Sequence, residues 1–196
     1  MITVGVLAIQ GAVAEHVAAL NKIENVKGIE VKTLEEIEQI DGLILPGGES
    51  TAMGKILNYF QMLEPLAEKI KQGLPVWGTC AGMILLAKEI VGQDTTYFKA
   101  MDMIVKRNAY GSQLDSFQTT IELPEIAATP IPLIFIRAPY VESVTGDVTI
   151  LAKVADKIVA AVQDNMLVTA FHPELTDDLS FHKYFCKKVS ASKQVS

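Results

Sequence analysis

Residues 78–82 read Gly-Thr-Cys-Ala-Gly, directly after the apolar stretch Pro75-Val76-Trp77. A strand, this pentapeptide and then a helix form the nucleophile-elbow pattern G-x-(Ser/Cys)-x-G. A nucleophile in that position occupies a strained turn. Side chains at the flanking positions would collide with neighbouring backbone, so Gly78 and Gly82 are glycine. The turn would lift the Cys80 sulfur to the carboxyl edge of the sheet, where open α/β folds bind ligands. It would also place Cys80 at a helix N-terminus, whose N–H groups favour a thiolate and can receive an oxyanion. The alternative is a buried structural cysteine beside a turn.

A thiolate nucleophile needs a base, and the chain has three histidines, His16, His172 and His182. His172 stands in Thr-Ala-Phe-His-Pro-Glu-Leu, at the expected end of a strand. Glu174 is two residues on, so the two side chains share a side in extended chain. Pro173 biases His172 towards extended geometry. A carboxylate beside an imidazole fixes its tautomer and supports its charged form. The pattern reads as a Cys80–His172–Glu174 relay, against the alternative of a strand-end histidine with a solvated glutamate. His16 lies on the first helix and reads as structural or interfacial. His182 and Cys186 are four apart on the last helix and read as a surface or packing pair rather than metal ligands, because no further ligand cluster accompanies them. No metal site and no cofactor are expected.

The third element is Leu45-Pro-Gly-Gly-Glu-Ser50. Two glycines after a strand let backbone approach a ligand and turn its N–H groups inward. With the Ala81 N–H, this loop could complete an oxyanion hole. The alternative is a plain strand-to-helix turn capped by Glu49 or Ser50. No Gly-Lys-Ser/Thr follows, so it is not a P-loop.

These motifs require strands to carry them. Ile2–Ile9 is short, continuous and β-branched, as in a strand buried on both faces. Gln10-Gly11 breaks it, and Val13, Val17 and Leu20 then share one helical face. Residues 29–34 and 41–48 give two further strands. Residues 50–71 are helical with an interruption near Glu64-Pro65, residues 74–79 form a fourth strand, and residues 81–91 a helix. This alternation implies parallel strands with crossover helices. The second half reads differently: Phe117–Leu123, Ile131–Pro139, Val148–Val154, Lys157–Gln163 and Met166–Pro173 are strands in quick succession. Hairpin turns fall at Asp156-Lys157 and Asp164-Asn165. The expected fold is α/β, flavodoxin-like: a mostly parallel central sheet flanked by helices, with an added antiparallel portion. A last helix covers about Leu179 to Val189. One domain is expected over residues 1–190, with a polar, frayed tail over 191–196.

The totals exclude several classes. At 196 residues, 49% apolar and 20% charged, the chain can bury a sizeable core. Its net charge of −6 and pI of about 5.1 leave no basic stripe for nucleic acid or an anionic membrane surface. No stretch reaches the roughly 20 apolar residues of a membrane span. The N-terminus lacks a basic leader region, and two cysteines are too few for a disulfide scaffold, so the expected compartment is the cytoplasm.

Taken in order, the three motifs resemble the triad-type (class I) glutamine amidotransferases. The segments GVLAIQGAVAEH, DGLILPGGEST, GTCAGMILLAKEI, RNAYGSQLDSF, FIRAP and FHPEL resemble, within that class, the glutaminase subunits of pyridoxal 5′-phosphate synthases. The resemblance runs over about residues 3 to 187. It implies hydrolysis of L-glutamine to glutamate and ammonia. Cys80 would be nucleophile, His172 base and then acid, and Glu174 its orienter. Gly48 and Ala81 N–H groups would hold the oxyanion. Gly47, Gly48, Glu49 and Ser50, with Arg107, Ile136 and Arg137, would line the glutamine pocket. Free glutamine carries an ammonium and a carboxylate, which suits Glu49 and the arginines; ordinary ion pairing is the alternative for both arginines. Two departures from the family pattern fall at Ala109 and Ser112, outside the triad. The resemblance also implies docking on a (β/α)8-barrel synthase subunit for vitamin B6 synthesis. Gln10, Gly11, Glu15 and His16 would face that partner and the ammonia exit. It further implies a glutaminase idle until docked, which full turnover by the isolated chain would contradict. Two other readings share the fold: a cysteine hydrolase or peptidase with the same elbow, and an idle scaffold subunit.

Overall fold

The computed structural model describes residues 1–107 and 116–195. In chain order the elements are β1 (Ile2–Leu7), α1 (Val13–Leu20), β2 (Val26–Val31), α2 (Leu34–Ile37), β3 (Gly42–Leu45), α3 (Ser50–Tyr59), α4 (Leu63–Lys71), β4 (Val76–Thr79), α5 (Ala81–Leu86), β5 (Ala87–Ile90), β6 (Met101–Lys106), β7 (Ser116–Ile121), β8 (Ile131–Ile136), β9 (Tyr140–Val144), β10 (Thr149–Val154), β11 (Lys157–Gln163), β12 (Met166–Thr169), a 3-10 turn (Pro173–Leu175) and α6 (Ser180–Val195).

One large sheet runs in the order β2-β1-β3-β4-β12-β11-β9-β6-β5, with β10 paired to β11; β7 and β8 form a separate antiparallel pair. The first five strands are mutually parallel. The next three joints, β12 to β11, β11 to β9 and β9 to β6, are antiparallel. This is the mostly parallel sheet with an antiparallel portion that the sequence pattern predicts. The centre strands β3, β4 and β12 are buried along their whole length. A strand buried on both faces is made largely of apolar residues at little cost, because no side of it meets water.

Several boundaries differ from expectation, each for a local reason. The helix after Cys80 stops at Leu86, and Ala87–Ile90 becomes a strand paired with β6. Residues 81–87 are all buried, so no polar face marks a helical period and the pattern cannot separate helix from strand. The second strand ends at Val31, because Thr33 and Glu36 form a capping box that starts α2. The break between α3 and α4 lies before Glu64-Pro65, at Gln61 with φ 55°. Pro65 sits in the first turn of α4, where a missing N–H costs nothing. The first hairpin turns at Ala155-Asp156, one residue early, with φ 48° and 63°. The polar tail continues α6 to Val195, and Lys193 pairs with Asp41 at 2.8 Å.

Candidate active site

Three neighbouring parallel strands end together. Leu45 at the end of β3 lies opposite Gly78, and Thr79 at the end of β4 lies opposite Thr169 at the end of β12. The Gly47-Gly48 loop, Cys80 and His172 therefore leave the same edge of the sheet. Cys80 has φ 46° and ψ −101°, a conformation that costs an L-residue about 1–3 kcal/mol. The surroundings hold it there: its N–H donates to the Thr169 carbonyl at 2.8 Å. A Cβ on Gly78 would lie 2.5 Å from the Gly82 carbonyl carbon, and one on Gly82 only 2.0 Å from the Leu45 carbonyl oxygen. Both glycines are required by backbone contact, as the elbow pattern implies.

The His172 N–H donates to the Ile134 carbonyl at 2.8 Å, which ties the residue to β8. Its Nδ1 lies 2.7 Å from Glu174 Oε1. The expectation that extended chain aligns these two is corrected: the 3-10 turn Pro173–Leu175 brings Glu174 to the ring. Burial pushes the His172 imidazole down, but hydrogen bonds to Cys80 and Glu174, and the charge of each, push it up to about 10. The ring can thus hold a proton beside the sulfur, as an activated cysteine requires.

Above this floor is a cavity of about 580 Å3. Of the residues singled out in the sequence, Gln10, Gly11, Gly47, Gly48, Glu49, Ser50, Cys80, Ala81, Arg107, Ile136, Arg137 and His172 line it. Glu49 also caps α3, accepting from the Thr51 and Ala52 N–H groups at 3.1 and 2.6 Å. Its carboxylate pairs with Arg107 at 3.0 Å, and Arg107 reaches Thr51 Oγ1 at 3.1 Å. Burial alone would raise the Glu49 carboxyl, but the Ala52 and Thr51 hydrogen bonds and Arg107 hold it below its ordinary value. The capping and ion-pairing alternatives are therefore both present at the cavity rim. Arg137 is exposed with φ 44°.

The residues assigned to a partner face divide. Glu15 is exposed on α1, outside the cavity. Gln10 and Gly11 are exposed but belong to the cavity wall. Gln10 Oε1 accepts from the Glu49 N–H at 2.8 Å, and the Ala12 N–H donates to the Gly47 carbonyl at 3.1 Å. His16 is corrected: it is fully buried, so it presents nothing to a docked partner. The Gln10 contact on the glycine loop had no signal in the spacing, because β1 and β3 meet only through the sheet order. Ala109 and Ser112 lie outside the described residues. Among the described residues no group of three or more histidines, cysteines or carboxylates could hold a metal ion, and no helix is long and apolar enough to cross a membrane.

Residues 6–191 match the model of the SNO glutamine amidotransferase family. The chain is 57% identical over 193 residues to the pyridoxal 5′-phosphate synthase subunit PdxT of Clostridium botulinum, covering 98% of this chain and all of that one. It is 54% identical to PdxT of Carboxydothermus hydrogenoformans, over 95% of this chain and 97% of that one. A solved glutamine amidotransferase superposes with a TM-score of 0.89 at 38% identity, covering 95% of this chain and 98% of that one. A solved protein of Thermoplasma acidophilum shares the fold alone, with a TM-score of 0.70 at 16% identity over 100% of this chain and 97% of that one.

Proposed function

The chain belongs to the SNO glutamine amidotransferase family, and from that premise we propose that it is the glutaminase subunit of a pyridoxal 5′-phosphate synthase. Glutamine enters the cavity with its α-ammonium towards Glu49 and its α-carboxylate towards Arg107 and Arg137, against the wall that includes Gly47, Ser50 and Ile136. Cys80 Sγ attacks the side-chain carboxamide carbon as a thiolate. The carbonyl oxygen becomes an oxyanion received by the Gly48 and Ala81 N–H groups. His172 gives its proton to the departing nitrogen, the C–N bond breaks, and ammonia leaves a γ-glutamyl thioester. Water then attacks the thioester, His172 takes its proton, and glutamate is released with the thiolate restored. Glu174 holds the imidazole in the tautomer that presents Nε2 to the sulfur. The sum is glutamine plus water giving glutamate plus ammonia, with no cofactor.

The single observation that carries this reading is Cys80 at φ 46°, between three strand ends, beside a His172 imidazole held 2.7 Å from Glu174. The relatives named as synthase subunits support the destination of the ammonia: a partner barrel subunit that consumes it, with Gln10, Gly11 and Glu15 at the docking side. The cytoplasm suits both the free thiols and the substrate.

The test is glutamate release from glutamine by the purified chain, alone and with a pyridoxal 5′-phosphate synthase barrel subunit, beside Cys80→Ala. Release raised by the partner and absent in Cys80→Ala is the expected result. Release indifferent to the partner would keep the chemistry and remove the assembly. No release in any mixture would overturn the glutaminase reading.

A further inference from the structure

Glu174 has two carboxylate oxygens, and the relay above uses one. Oε1 serves His172; Oε2 is buried and makes no hydrogen bond of good geometry. His16 Nε2 stands 3.4 Å from that Oε2 and 3.3 Å from Thr79 Oγ1. The other nitrogen of His16, Nδ1, lies 3.0 Å from His182 Nε2. Both rings are fully buried, packed edge-on against Trp77. His182 Nδ1 has no partner. Carboxylate, His16 and His182 thus form one chain of polar groups in a dry part of the interior, where each orphan would be costly.

The proton positions in this chain follow from electrostatics. A bare lone pair on His16 Nε2 would face the carboxylate oxygen and repel it, whereas an N–H there attracts it. With the proton on Nε2, His16 Nδ1 is an acceptor, and His182 must donate its Nε2–H to it. That leaves His182 Nδ1 as the bare nitrogen, which is the atom found without a partner. The reverse arrangement would let the Thr79 hydroxyl donate to His16 Nε2, but it would bury an unpaired N–H on His182 and leave a lone pair 3.4 Å from Glu174 Oε2. The groups facing His16 are Glu174 on the 3-10 turn, His172 just before that turn, His182 on α6, and Thr79 and Trp77 on β4. Burial and the neighbouring imidazoles of His182 and His172 push its proton affinity down, which favours the neutral ring.

We propose that His16 is a positioning residue of the triad: its Nε2–H, bonded to Thr79 Oγ1 and 3.4 Å from Glu174 Oε2, presents its positive end to that carboxylate and favours the orientation that serves His172, while His182 fixes the His16 tautomer. His16 touches neither substrate nor sulfur and acts only through Glu174. This deepens the glutaminase reading, on which its kinetic consequences rest; the tautomer is independent of that reading.

Two measurements test it. In 15N-histidine-labelled wild-type protein, long-range 1H–15N spectra report which ring nitrogen carries the proton. His16 is expected neutral with its proton on Nε2 between about pH 6 and 8. A proton on Nδ1, or an imidazolium, overturns the proposal whatever the activity. In the complex with the barrel subunit, His16→Leu keeps the volume but removes the donor. Its kcat is expected to fall about 10- to 100-fold with KM within about twofold, the size seen when an outer partner of a functional side chain is lost. His16→Gln, whose amide can place an N–H near the ring Nε2 position, is expected to recover most of that loss. Unchanged kcat in His16→Leu, or equal losses in the two variants, overturns the proposal. If His16→Leu fails to fold, the glutamine variant and the wild-type tautomer still decide. If the wild type itself releases no glutamate with its partner, the glutaminase reading falls and the spectra alone judge the His16 contact.

Discussion

Glu174 has a wet side and a dry side, and the same kind of ring behaves oppositely on each. On the wet side, His172 borders the cavity and is pushed up to about 10. On the dry side, His182 is pushed down to about 4 by burial, with Asp178 opposing only in part, and His16 lies well below its ordinary value. Burial lowers all three. The difference is the company. His172 has a sulfur and a carboxylate within hydrogen-bond reach, while His16 has two imidazoles beside it and only the far oxygen of a carboxylate already committed at 2.7 Å. One carboxylate can therefore keep a working imidazole charged while resting on a neutral one, because its charge acts most strongly where the contact is closest.

The largest effect comes from making the two sides compete. Glu174→Gln replaces two equivalent oxygens by one oxygen and one NH2. If the oxygen faces His172, the NH2 meets the proton on His16 Nε2; if it faces His16, His172 is driven to the wrong tautomer. Glutaminase kcat is expected to fall about 10³- to 10⁴-fold, the size seen when a triad carboxylate becomes an amide. KM should move little. A loss under tenfold would mean the carboxylate does not orient His172, and the contrast between the sides would lose its pivot.

How much of this was legible before the fold was known depends on how each contact is made. Cys80, Gly78 and Gly82 lie within one turn, and the reason for the glycines is a backbone collision that the spacing implies. His172 and Glu174 are also local, although a 3-10 turn rather than extended chain brings them together. The parallel sheet followed from apolar strands alternating with helical periods. By contrast, β5, β6 and β9 carried no separate signal, and the run from Ala81 to Ala87 is too uniformly apolar to show where helix becomes strand. The dry side was hidden for a different reason. His16 and His182 are 166 residues apart and meet only once α1 and α6 pack near the end of β4. His16 closes the segment GVLAIQGAVAEH and His182 sits in no motif, but a histidine on a helix carries no mark of being buried against another.

A second test separates the two sides by acid. The unfolded His182 takes a proton near pH 6.5, while the folded one resists it to about 4. Between those values the unfolded state binds more protons, so stability falls as the pH falls through that window and is unaffected by this group above it. The loss by pH 4 is at most about 3 kcal/mol, at 1.36 kcal/mol per unit. His182→Gln can still donate to His16 but cannot titrate. Its urea midpoint should change less than the wild type's between pH 7 and 4.5. Parallel pH curves for the two proteins would show that His182 charges freely in the fold, and the dry side would not be dry.

The smallest expected effect lies at the rim of the wet side. Arg107 and Glu49 are partly exposed, their 3.0 Å pair borders the cavity rather than the sulfur, and such pairs contribute about 0–1 kcal/mol to stability. Arg107→Ala should therefore leave the urea midpoint nearly unchanged. Its cost should appear in glutamine binding, where the α-carboxylate loses one cation: KM is expected to rise about tenfold with kcat within about twofold. Raising ionic strength on the wild type should reproduce part of that rise, because rim charges are screened and the Cys80–His172–Glu174 floor is not. The discriminating result is the opposite split. If Arg107→Ala lowers kcat and spares KM, the arginine acts on the reacting groups. The rim would then belong with the floor, and the wet side would be one electrostatic unit rather than a binding edge above a fixed catalytic base.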